Sequence, residues 1–131
     1  MKVLALDFGR ARTGVAVSDP TGTLARPLCV VERAASEDGL AELARLIEAE
    51  GAEQVVVGLP LTLRGERGEQ ARETEEFVRA LGAATAVPVV TYDERFTTDL
   101  AQQSPAVSAE DARAAAHLLT SYLARSSAAR A

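Results

Sequence analysis

A chain of 131 residues, 47% of them hydrophobic, suits one domain over 1–131 with a single core and no need of staples. Its one cysteine, Cys29, excludes an intrachain disulfide. That fits a reducing cytosol, and with no bilayer-length apolar run and no signal-peptide layout the expectation is a cytoplasmic protein with no membrane partner. The formal net charge of −5 by itself argues against nucleic acid as a partner, since phosphate neutralisation needs clustered cations.

The charge distribution softens that exclusion. Many acids fall in "SEDGLAELARLIEAEGAE" and "ERGEQARETEEF", which read as solvated helix faces. Arg10, Arg12, Arg64, Arg67 and Arg95 fall in or beside loops. Thirteen of the fourteen basic residues are Arg, a choice that suits phosphate but is better explained by a biased genome composition.

In chain order, "KVLALDFG" reads as a buried strand, and "RTGVAVSD" as a second strand after the short "GRAR" turn. "TLARPLCVVER" reads as a third, with Pro27 assigning part of it to an edge or a bulge. Short connections make these three an antiparallel meander. Ser36 is a good N-cap, with Glu37 and Asp38 in the first turn. Leu40, Leu43, Ala44 and Ile47 then recur at helical spacing until Gly51. "EQVVVGLP" is wholly apolar at its centre, as a central parallel strand requires. A second helix carries Thr74, Phe77, Val78 and Leu81 on one face. "VPVVTYDER" is a fifth strand, and a short helix is expected from Thr97 or Thr98. "SAEDARAAAHLLTSYLARS" is the last helix, and residues 126–131 are expected to form a mobile tail.

The order β-β-β-α-β-α-β-α-α predicts an α/β protein with a mixed five-stranded sheet and helices on both faces. It is the order of the ribonuclease H-like fold.

Asp7 ends the first strand, where an apolar residue would be unremarkable and a carboxylate is costly unless paired, solvated or bound to a cation. Asp93 and Glu94 end the fifth strand, within reach of Asp7 if the strands are neighbours about 4.8 Å apart. With Ser108 as N-cap, Asp111 lies in the first turn of the last helix and shares a face with Ala115, Leu118 and Tyr122, so it turns toward the sheet. Each residue taken singly has a structural reading. Asp7 would pair with Arg10 or Arg12, Asp93 and Glu94 would form a solvated turn with Arg95, and Asp111 would belong to a capping box with Ser108. Taken together they form an oxygen-only donor set around one depression, suited to Mg²⁺ or Mn²⁺. Two such ions about 3.5–4 Å apart support in-line phosphodiester hydrolysis. Asp7, Asp93, Glu94 and Asp111 are then the candidate catalytic residues, with Asp7, Glu94 and Asp111 as metal ligands. Arg10, Arg12, Arg64, Arg67 and Arg95 are expected to form a positive rim that binds nucleic acid. His117 and Cys29 read as packing residues. The loop "GLPLTLRGERG" is longer than an ordinary β–α connection, which favours a functional role.

"DFGRARTGVAVSD", "GLPLTLRG", "DERFTT" and "DARAAAHLLTSYL" resemble, in order, the blocks of the YqgF/RuvX family of bacterial RuvC-like resolvases. The resemblance covers nearly the whole chain. It implies a ribonuclease H-like, metal-dependent nuclease, acting in 5′ maturation of pre-16S rRNA or on branched DNA, as a monomer or homodimer. By position it makes Asp7 the first-strand acid, Asp93 and Glu94 the acids of the "DER" block and Asp111 the acid of the last helix. Thr62 stands where Asn is usual in the family, and Arg64 where Asp is frequent. "DLAQQSPAVSAED" is shorter than the family's segment and has no basic residue. Two other readings stay open. One is a non-catalytic RNA-binding assembly factor, favoured by the acidic charge. The other is a phosphate-binding module of the actin-like kinase superfamily, whose first hairpin also reads Asp-x-Gly.

Overall fold

The computed structural model describes residues 1–97 and 107–130, with the side chains of 107–110 and 127–130 outside the description. Five strands, β1 (Val3–Asp7), β2 (Arg12–Ser18), β3 (Ala25–Glu32), β4 (Gln54–Leu59) and β5 (Val89–Asp93), form one sheet in the order β3-β2-β1-β4-β5. The β3-β2-β1 meander is antiparallel, and β4 and β5 add in parallel. This is the ribonuclease H-like arrangement expected from the element order.

Among the described residues three α-helices cover the sheet: α1 (Glu37–Glu50), α2 (Glu69–Ala84) and α3 (Val107–Arg130). Strand alternation divides the core in two. Leu4, Leu6, Val15, Val55 and Val57 face α1 and α2, which contribute Leu43, Ile47, Phe77 and Leu81. Val3, Ala5, Ala16 and Val56 face α3, which contributes Ala115, Leu118, Leu119 and Leu123. The small strand residues on that side let α3 lie close across β1, β2 and β3.

Local chemistry sets the boundaries. Ser36 caps α1 by accepting from Gly39 N at 3.0 Å, and Gly51 ends it in the left-handed region at φ 67°. Pro27 lies on the edge strand β3, next to a break in register. Cys29 pairs with Val15 and Pro27 with Ala16, leaving Leu28 as the extra residue of a bulge.

Two expectations change. The helix α3 begins at Val107, so Ser108 lies inside its first turn and does not precede it as an N-cap. The same helix continues to Arg130, across most of the segment expected as a tail. After β5 the described chain forms a 3₁₀ turn over Glu94–Phe96, which starts three residues before Thr97. The short helix expected from Thr97 or Thr98 falls on residues that lie, from 98 to 106, outside the described ones.

Candidate active site

The site forms at the C-terminal ends of β1, β4 and β5. Strand alternation puts Asp7 on the α3 face and sends Phe8 the other way. There Phe8 stacks on Phe77 of α2 with centroids 4.3 Å apart. That contact pins the strand end and fixes the direction of Asp7. The turn into β2 is tight, because a Cβ on Gly9 would stand 2.6 Å from Arg12 O.

Two strand glycines flank Asp7 on the same face. Gly14 of β2 pairs directly with Asp7. A Cβ there would stand 1.9 Å from the carbonyl oxygen of Asp111, so the first described turn of α3 rests on the space Gly14 leaves. Gly58 of β4 lies one step past the Leu6–Val57 pair, on the other side of Asp7. A Cβ there would meet Glu94 Oε1 at 2.6 Å and Cγ at 2.8 Å. The strands β1 and β5 are therefore not neighbours, as the 4.8 Å estimate assumed. Instead β4 separates them, and the Glu94 side chain crosses it over Gly58.

A cavity of about 610 Å³ opens at this edge, and both Asp7 and Glu94 line it, together with Arg10, Pro60, Glu69 and Glu73. Asp111 does not line it. Its Oδ2 lies 3.1 Å from Arg12 Nε, without hydrogen-bond alignment, and that oxygen is buried with no hydrogen-bond partner. The expected depression thus receives two of the three carboxylates, and the third stands beside it on Arg12. Among the described residues no three His, Cys, Asp or Glu side chains converge on one ion position.

Asp93 and Glu94 separate in role. Asp93 accepts from Arg95 N at 2.9 Å, which caps the 3₁₀ turn, and from the Arg95 guanidinium at 2.6–3.1 Å. The Arg95 hydrogen bond holds the Asp93 carboxyl below the usual carboxylate range, against the opposing effect of desolvation. Asp93 therefore braces the turn from which Glu94 reaches over Gly58. On the other side the turn is tied to α3. Tyr92 bonds Ser121 at 2.7 Å, Ser121 Oγ donates to Phe96 O at 3.0 Å, and the Arg125 guanidinium lies 3.8 Å over the Phe96 ring.

The expected positive rim is largely neutralised within the chain. Arg10 pairs with Glu73 and approaches Glu69, Arg12 meets Asp111, Arg67 meets Glu75 at 3.3 Å and Arg95 meets Asp93. The hydrogen bond from Arg10 also lowers the Glu73 pKa. Arg64 is exposed in the 60–68 loop. That loop is a built turn: Gly65, at φ 82°, donates to Thr62 O at 2.8 Å, and Glu66 N donates to Thr62 Oγ1 at 3.0 Å.

The sequence reading missed the spacer role of Gly14 and Gly58 and the acids Glu69 and Glu73. A glycine within a strand pattern is a signal of close approach and could have marked the first two. Nothing local marks Glu69 and Glu73, which read as an ordinary solvated helix start. The segment 99–111, with its missing basic residues, falls largely outside the described residues.

The donor chemistry fits a hard divalent cation. All candidate ligands are carboxylates, Glu94 lies in a cradle that a Cβ would fill, and Asp111 keeps a buried oxygen without a hydrogen bond.

Comparison with known proteins agrees with this architecture. A family model described as "RuvX: Holliday junction resolvase" matches residues 1–125. A "Putative pre-16S rRNA nuclease" of Chloroflexus aurantiacus is 45% identical over 101 residues, which are 77% of this chain and 66% of that protein. One of the same name from Rubrobacter xylanophilus is 53% identical over 98 residues, 74% of this chain and 68% of the relative. The chain thus spans about two thirds of the length of these relatives. Among solved structures, T. thermophilus RuvC in complex with a Holliday junction substrate aligns with a TM-score of 0.62 and 20% identity over 95% of both chains. The Fowlpox virus resolvase aligns with a TM-score of 0.59 and 12% identity over 95% of this chain and 98% of that one. These structural likenesses bear on fold alone. With the family model spanning nearly the whole sequence and the sheet order agreeing, the chain belongs to the RuvX family.

Proposed function

We propose that this protein is a cytoplasmic, metal-dependent nuclease that hydrolyses phosphodiester bonds, with precursor 16S ribosomal RNA as substrate and branched DNA as the competing one. One observation carries the reading. Asp7 stands between two glycines that admit the Glu94 side chain on one side and the backbone of α3 at Asp111 on the other. A fold built only for stability has no need to crowd acids there, since like charges disfavour one another's ionisation.

Asp7 and Glu94 would hold the cation at the mouth of the cavity, and Asp111 would complete the set. When bound, Mg²⁺ or Mn²⁺ supplies an activated water and neutralises charge on the phosphate. The chain itself orients the scissile group. Arg10 at the cavity wall and the exposed Arg64 on the adjoining turn would engage flanking phosphates, for which guanidinium geometry is suited. Asp93 acts on Glu94 by bracing the turn that bears it. Substrate choice is supported by the names of the sequence relatives, which speak of pre-16S rRNA.

The test is a cleavage panel of structured RNA, single-stranded nucleic acid and four-way junctions, with Mg²⁺ or Mn²⁺ and an Asp7→Asn control. Metal-dependent cleavage of structured RNA, lost in the control, is the expected result. Metal-independent binding without cleavage would favour a non-catalytic assembly factor.

A further inference from the structure

Arg12 and Asp111 meet where a ligand is most needed and least available. Arg12, Gly14 and Ala16 share the α3 face of β2, so the Arg12 side chain rises beside the place where Asp111 crosses Gly14. The contact is 3.1 Å, from Nε to Oδ2, and it lacks hydrogen-bond alignment. Arg12 is 46% exposed and Asp111 29%, so the pair is open to competition from solvent-borne ions.

We infer that Arg12 is a positioning residue that holds Asp111 away from the cation until a nucleic-acid phosphate takes Arg12 in its place. The inference deepens the nuclease reading and rests on it. A guanidinium binds phosphate through parallel hydrogen bonds, and the unaligned contact with Asp111 is a poorer alternative. Phosphate on Arg12 leaves Asp111 Oδ2 with neither cation nor hydrogen-bond donor, and a buried carboxylate oxygen then has a divalent ion as its natural partner. Substrate and metal therefore favour each other's binding through one side chain, with equal coupling in both directions. The free protein keeps an incomplete metal site.

Thermal melts across a Mn²⁺ titration test this without measuring cleavage. The variants are Arg12→Gln, Arg10→Gln as a control for loss of one positive charge two residues away, Asp111→Asn, and the double variant Arg12→Gln/Asp111→Asn. Metal-free melting points separate folding effects from metal effects. Arg12→Gln is expected to reach half of its Mn²⁺-induced shift at a several-fold lower concentration than wild type or Arg10→Gln. In the Asp111→Asn background the same change is expected to have no further effect, which isolates the pair. A Mn²⁺ response in wild type with Arg12→Gln no different from Arg10→Gln overturns the positioning role and leaves the metal site standing. No response to Mn²⁺ in any variant overturns both.

Discussion

Gly14 and Gly58 both clear space beside Asp7, yet an alanine at each meets a different obstacle. At Gly14 the new Cβ stands 1.9 Å from Asp111 O and 2.4 Å from its carbonyl carbon, so the backbone of α3 must move. Gly14→Ala is expected to lower stability by about 1–3 kcal/mol or more, the cost of overpacking, and to abolish cleavage. At Gly58 the obstacle is the end of the Glu94 side chain, which can swing away. Gly58→Ala is expected to leave the melting temperature nearly unchanged and to reduce both activity and the Mn²⁺-induced shift. Parallel melts and cleavage assays distinguish the two, and equal destabilisation would contradict the cradle described for Glu94. Asp7→Asn is expected to fold with an unchanged or higher metal-free melting temperature, since one of several crowded like charges is gone. Its activity should fall by more than the roughly 10–100-fold typical of losing an outer-shell partner. Its Mn²⁺ stabilisation should shrink, because an ion that binds only the native state stabilises by mass action.

The β2–β3 hairpin shows how a carboxylate can serve an element with no part in the site. Asp19 accepts from the hydroxyl of Thr21, from Leu24 N at 2.9 Å and from Thr23 N at 2.8 Å. The Thr21 bond, followed by those two backbone bonds, holds its pKa far below the ordinary value of 3.8. The folded state thus binds this proton less readily than the unfolded chain. The resulting stability is present above about pH 4 and is lost as the pH falls toward the folded pKa. Asp93 and Glu73, each lowered by an arginine hydrogen bond, act with the same sign. Asp19→Asn is expected to melt lower than wild type at pH 7 and to show a shallower fall in melting temperature between pH 5 and 3. Melting curves across that range check it, and parallel acid limbs would refute the assignment. The long α3 works differently: apolar residues hold it to the sheet, while Ser121 and Arg125 tie it to the turn that bears Glu94.

At the scale of the molecule, a net charge of −5 and a set of arginines paired with acids describe a surface that must exchange partners to bind a polyanion. Glu73→Gln removes the main partner of Arg10 and is expected to tighten nucleic-acid binding and steepen its salt dependence. The double change Arg10→Glu/Arg64→Glu is expected to weaken binding. Each lost phosphate contact should flatten the slope of log K against log salt by about 0.7–0.9. Binding isotherms at several salt concentrations measure both effects. Unchanged slopes would mean that the nucleic acid follows another path across the surface.

Much of the fold was legible along the chain because its signals are local. The apolar runs of β1 and β4, the Ser36 cap, the Gly51 stop and the 3.6-residue spacing of α1 and α2 each act within a few residues. Pro27 announced the edge and the bulge for the same reason. The sequence by itself thus determined the order of the five strands, the two helices between them and the last helix, and the family. The tertiary structure alone decided which of the candidate carboxylates meet. That β4 separates β1 from β5, that Glu94 crosses it while Asp93 turns to Arg95, and that Asp111 lies on Arg12 all depend on strand order and on the space left by Gly14 and Gly58. Side chains distant in sequence choose among competing partners by free energies that exist only once the sheet has brought those partners within reach.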